Sequence, residues 1–112
     1  MSDFKAMNLL PDILQAITKH GYTTPTPIQQ QATPRLLEGR DLLGIAQTGT
    51  GKTAAFSLPI INHLAKTKTR VKRLCARALI LTPTRELASQ IDQNVKSYGS
   101  GIGLFSTVIF GG

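Results

Sequence analysis

The sequence predicts an α/β domain, a parallel sheet with flanking helices, and three observations lead there. Short apolar runs at 42–46, 77–82 and 104–110 alternate with two longer stretches of helical periodicity. Apolar strands separated by helices pair in parallel through right-handed crossovers. The first run feeds a glycine-broken loop, AQTGTGKT at 46–53, with a helix pattern immediately behind it. Finally, 112 residues with 41% apolar side chains suffice for one small domain with a buried core and are too few for two.

The elements follow in order. Pro11 to Lys19 sets Ile13, Leu14, Ala16 and Ile17 on one face, opens on proline and stops near Gly21, which reads as a short helix. After the loop GYTTPTP a second helix runs from Pro27 to about Glu38, with Thr26 as its N-cap and Gly39 as its stop. Pro34 inside it is expected to kink it. Leu42 to Ala46 reads as a buried strand, and Lys52 to about Lys66 as a helix with Pro59 as a second kink site. Arg77 to Thr82 (RALILT) is the next strand. Arg85 to Tyr98 places Leu87, Ala88, Ile91, Val95 and Tyr98 at helical spacing, with Gly99 past its end. Leu104 to Phe110 is the third strand, halted by Gly111 and Gly112. No internal repeat or low-complexity tract interrupts the pattern.

Charge narrows the partners. Thirteen basic and six acidic side chains give a net charge of +7, which favours polyanions such as nucleic acid. The densest patch is KTKTRVKR at 66–73, read as a solvated surface loop. The aromatics Phe4, Tyr22, Phe56, Tyr98, Phe105 and Phe110 do not interleave with it, so it is no base-stacking platform. The start MSDFKAMNLLPDIL has neither a membrane span nor a secretory signal. Cys75 is the single cysteine and allows no internal disulfide. A soluble, cytoplasmic protein is expected. His20 and His63 have no cysteine or histidine at ligand spacing, so no metal site built from protein ligands alone is expected.

In parallel sheets ligands gather beyond the carboxyl ends of the strands. The segments leaving those ends are AQTGTGKT, PTRE and the terminal GG. A loop that wraps phosphates needs several backbone N–H groups turned inward, and glycines such as Gly49 and Gly51 let the chain bend that far. The helix beginning near Gly51 adds free N–H groups and the positive end of its dipole. Lys52 supplies a point charge for outer phosphates, and the Thr53 hydroxyl can ligate Mg²⁺. The phosphate-loop pattern G-x-x-x-x-G-K-[ST] is matched except at its first position, which here is Ala46.

AQTGTGKT resembles motif I of the DEAD-box RNA helicases, where alanine commonly opens the loop. GYTTPTPIQ at 21–29 resembles that family's Q motif, and Phe4 stands 17 residues before Gly21, where the family has an isolated aromatic. PTRELASQ at 83–90 resembles motif Ia, and Gly111-Gly112 the GG element. IQQQATP and RALILTPTREL look most like the bacterial RhlE-type branch. The resemblance covers the whole chain and implies a partial RecA-like phosphate-loop NTPase domain, with a Q-motif helical region at 1–40 and an incomplete helicase ATP-binding domain at 41–112.

The resemblance implies roles residue by residue. ATP would be held by Ala46, Gln47, Thr48, Gly49, Thr50, Gly51, Lys52 and Thr53, with Mg²⁺ on Thr53. Gln29 would read the Hoogsteen edge of adenine, accepting from N6 and donating to N7, which rejects guanine. Phe4 would stack on the base, and the Tyr22 carbonyl would be a further acceptor. Pro83, Thr84 and Arg85, with Gly111 and Gly112, would contact RNA phosphates and sugars without reading sequence.

Hydrolysis in this class needs acids at the end of an apolar strand. Asp3, Asp12, Glu38, Asp41, Glu86 and Asp92 are the acidic residues, and none follows an apolar strand; there is no D-E-A-D and no S-A-T. The chain resembles the first part of an N-terminal RecA-like domain. The expectation is an ATP-dependent RNA helicase that unwinds short duplexes, of which these residues form the nucleotide-binding portion, inactive alone. The alternatives are a catalytically inactive nucleotide- and RNA-binding module, or another phosphate-loop NTPase such as a DNA translocase.

Overall fold

The computed structural model describes residues 3–46, 51–67 and 70–110. Four helices carry the regular structure there: α1 (Pro11–Lys19), α2 (Pro27–Leu37), α3 (Lys52–Lys66) and α4 (Arg85–Gly99). Two 3-10 turns, Phe4–Met7 and Ser100–Ile102, were not foreseen. The first is capped by Asp3, whose carboxylate accepts from the Ala6 N–H at 3.2 Å.

Each helix begins and ends for a local reason. Pro11 opens α1, and Ile13 and Ile17, one turn apart, are buried. Its end is a double closure around Gly21 at φ +78: the Gly21 N–H donates to Thr18 O and the Tyr22 N–H to Ile17 O, at 3.0 and 3.2 Å. Only a left-handed residue permits this reversal. It sends Tyr22 back toward α4, where its ring lies 6.5 Å from that of Tyr98. α2 opens on a reciprocal capping box. The Thr26 N–H donates to Gln29 Oε1 at 2.9 Å, and the Gln29 N–H to Thr26 Oγ1 at 3.5 Å. Pro34 lies within α2, which continues past it to Leu37.

Pro59 sits inside α3 and has no N–H, so the Ala55 carbonyl loses its helical donor. Thr33 of α2 replaces it: its hydroxyl donates to Ala55 O at 3.1 Å, in a buried setting. That bond fastens α2 to α3. The core gathers Phe4, Met7, Leu9, Ile13 and Ile17 against Ala54, Leu58, Ile61 and Tyr98. Ile13, Ile17, Leu58 and Ile61 are almost wholly enclosed, and burying such a side chain contributes about 1.5–3 kcal/mol. The N-terminal segment is also tied by polarity, the Leu10 N–H donating to the buried Asn62 Oδ1 at 2.8 Å.

The three expected strands are a correction. Leu42–Ala46, Arg77–Thr82 and Leu104–Phe110 carry no regular secondary structure, and no strand is formed among the described residues. A strand exists through the ladder it makes with a neighbour, and these runs have none. Their apolar side chains stand open, Leu43 at 88% and Phe105 at 98% exposure. Arg77, expected to start a strand, instead reaches back to the end of α3, donating to Leu64 O at 3.1 Å and to the Thr67 carbonyl and hydroxyl. Carbonyls at a helix C-terminus attract a cation in this way. No helix among the described residues is long and apolar enough to cross a membrane.

Candidate nucleotide-binding and RNA-binding site

The centre of the candidate site is Gly51, the N-cap of α3, at φ +85. A Cβ there would stand 2.5 Å from Gln29 Nε2 and 3.0 Å from Thr26 Oγ1. Conformation and space therefore both demand glycine. The Gln29 Nε2 donates to Gly51 O at 3.2 Å, an oxygen that also accepts from the Ala55 N–H at 3.1 Å. Gln29 is 2% exposed. Its carboxamide is thus a strut from the α2 cap to the start of α3, with one lone pair and one N–H engaged and one of each left over.

The first turn of α3 differs from that of α2 in one respect relevant to anions. Among the described residues no side chain caps it, so its leading N–H groups suit an external acceptor. Lys52 is exposed at the first helical position and Thr53 is partly buried beside it. Ala46 is partly buried without regular structure. Gln47, Thr48, Gly49 and Thr50 lie outside the described residues, as do Gly111 and Gly112. The described donor set, uncapped amides with a lysine and a hydroxyl, fits a phosphate with a hard cation. No cluster of three or more His, Cys, Asp or Glu that could hold a metal occurs among the described residues, so Mg²⁺ would rely on phosphate oxygens and Thr53.

The two other residues expected at the base are placed as follows. Phe4 is 4% exposed within the core; its ring packs on apolar side chains and offers no open face to adenine. Tyr22 is exposed and turned to the α4 side, where Tyr98 also meets His20 edge-on at 5.5 Å. Burial pushes the Tyr98 phenol well up, and its hydrogen bond with Tyr22 adds to the shift.

The candidate RNA contacts lie at the start of α4. The Thr84 hydroxyl accepts from the Leu87 N–H at 3.2 Å, and Thr84 O from the Ala88 N–H at 3.2 Å; Thr84 is thus the N-cap. Pro83, Thr84 and Arg85 are all exposed. The Arg85 guanidinium lies over the Phe110 ring, 5.7 Å from its centroid. Farther along, Asp92 accepts from Ser106 Oγ at 2.6 Å and pairs with Lys96 at 2.8 Å. The Lys96 bond and then the Ser106 bond hold its carboxyl below the usual 3.8, against a smaller opposing effect of burial.

Sequence reasoning passed over the Gln29–Gly51 strut, the Thr33–Ala55 bond and Phe110 as a partner of Arg85. The first two had faint signals, a glutamine at the third position of a capped helix and a proline one turn after an alanine. The third had an aromatic beside Gly-Gly.

Residues 26–112 match the family model of the DEAD/DEAH box helicase, and the chain belongs to that family. It is 49% identical over 109 residues to the ATP-dependent rRNA helicase RRP3 of Meyerozyma guilliermondii, covering 97% of this chain and 22% of that protein. It is 48% identical over 109 residues to the human probable ATP-dependent RNA helicase DDX47, covering 97% of this chain and 23% of that protein. The RNA helicase Prp28 of Chaetomium thermophilum, solved bound to ADP, superposes with a TM-score of 0.91 at 39% identity, over all of this chain and 27% of that one. The chain spans about a quarter of the length of these proteins. A RecA-like helicase domain of the α/β class is therefore the fold to which it is similar.

Proposed function

We propose that this chain is the nucleotide-binding portion of an ATP-dependent RNA helicase that unwinds short RNA duplexes. The observation that carries the reading is the left-handed Gly51 at the uncapped start of α3, gripped by the Gln29 carboxamide. ATP phosphates would lie on the 46–53 loop and the first amides of α3, with Lys52 on the outer phosphates and Thr53 on Mg²⁺. Gln29, its plane fixed by Thr26 and Gly51, would use its remaining lone pair and N–H on adenine N6 and N7. Phe4 would have to leave the core to stack on the base, and the Tyr22 carbonyl would accept from it.

Pro83, Thr84 and Arg85, with Gly111 and Gly112, would hold RNA by phosphate and sugar, hence without sequence preference. The runs at 42–46, 77–82 and 104–110 would form a parallel sheet once each has a neighbour. The division near residue 40 is one of labour: 1–40 reads the base, and 41–112 holds phosphates and RNA. Cytoplasmic residence agrees with the exposed free thiol of Cys75.

A second reading, a binding module without catalysis, applies to the 112 residues on their own. Asp3 caps a turn, Glu38 pairs with Arg40 at 3.8 Å, and Asp92 is engaged with Ser106 and Lys96. Calorimetric titration with Mg-ATP and then Mg-GTP tests the proposal. Binding of ATP, rejection of GTP and loss of ATP binding in Lys52→Ala are expected. Equal affinity for the two nucleotides would remove the adenine-reading role of Gln29, and unchanged affinity in Lys52→Ala would remove the phosphate-loop assignment.

A further inference from the structure

Phe110 is an aromatic at an open position. Its neighbours in the same run, Phe105 and Ile109, are almost bare, at 98% and 89% exposure, whereas Phe110 is 45% exposed. The Arg85 guanidinium lies over its ring. Arg85 opens α4, directly after the capping Thr84. Fixing a long exposed side chain on RNA forfeits rotamer freedom. A ring beside the guanidinium restricts it beforehand. The N–H donors that bind a phosphate point outward in the guanidinium plane, so a cation–π contact and phosphate binding can coexist.

We propose that Phe110 is a positioning residue for RNA: its ring holds the Arg85 side chain in the orientation that meets a backbone phosphate. The proposal rests on the reading of Arg85 as an RNA contact and adds to it a residue from a run 25 positions later in sequence. Phe110 itself makes no base stack. It acts through Arg85.

The test is a double-mutant cycle on the 112-residue chain, with a short fluorescein-labelled oligouridylate followed by anisotropy across a salt series. Arg85→Ala is expected to weaken binding and to lower the salt slope by about one. Phe110→Leu is expected to weaken binding roughly two- to fivefold, the loss of one exposed cation–π contact, and Phe110→Tyr to restore it. In the Arg85→Ala background, Phe110→Leu should change nothing further. An undiminished effect there would mean that the ring touches RNA directly, and no effect in either background would mean that it does nothing; both overturn the proposal while leaving the RNA reading intact. A lowered thermal midpoint for Phe110→Leu would make the ring a packing residue and overturn it as well. An Arg85→Ala chain that binds as the unaltered one does, or an unaltered chain with no affinity for the probe, overturns the RNA reading and the proposal together.

Discussion

Thr33 shows how much one hydroxyl can decide. Pro59 deprives the Ala55 carbonyl of its helical donor, and the buried Thr33 Oγ1 supplies the only replacement seen among the described residues. Valine has the same shape and no donor. Thr33→Val should therefore destabilise the chain by about 1–3 kcal/mol, the penalty for a buried acceptor left unmet, and Thr33→Ser should recover most of it. Urea unfolding followed by circular dichroism measures both; equal stability of all three chains would assign the α2–α3 contact to apolar packing alone. Gly51 is the same argument in reverse, since there an added methyl group meets Gln29 and Thr26.

Among elements, the bond from α4 to the 104–110 run is electrostatic and so depends on pH. Asp92 is held below its usual 3.8 by Lys96 and Ser106. A carboxyl whose folded value is depressed stabilises the fold above the unfolded value, and that contribution disappears as the pH falls through the folded one. Stability should therefore decline on acidification below about pH 4, and Asp92→Asn should be less stable at neutral pH while losing that part of the acid slope. Thermal midpoints between pH 7 and pH 2 would read it; parallel curves for the two chains would dismiss the carboxylate from the linkage. The helices were legible because their signals are local: Thr26 with Gln29, Gly21 after Lys19, and the one-turn spacing of Ile13 and Ile17. The strands are not formed among the described residues, because an apolar run says which residues could pair and nothing about a partner at hand. The burial of Phe4 was hidden for a related reason. It shares the core with Leu58 and Ile61, which are distant in sequence, and a lone aromatic does not announce that. The candidate site was legible as a loop and a lysine, while the strut between Gln29 and Gly51 depended on a carboxamide that could equally have faced solvent.

As a whole, the molecule exposes 8214 Å², against about 6,000 Å² for a compact monomer of this mass. Part of the excess lies where Leu43, Ile45, Leu79, Leu81, Phe105 and Ile109 stand open, apolar area of the kind that drives association. The chain should bind the dye ANS and self-associate as its concentration rises, and the pair Leu79→Lys with Leu81→Lys should suppress this without lowering helix content. Sedimentation velocity decides it; a monomer at every concentration would show that these runs are covered in solution. The ties that do exist span very different lengths of chain. Thr33 meets Ala55 across 22 residues, while Leu10 meets Asn62 across 52. Closing the shorter loop sacrifices less chain entropy, so α2 and α3 are expected to come together before α1 docks. The strut between Gln29 and Gly51, also 22 residues apart, belongs to that shorter-range pair, so the candidate site is expected to assemble before the core is sealed.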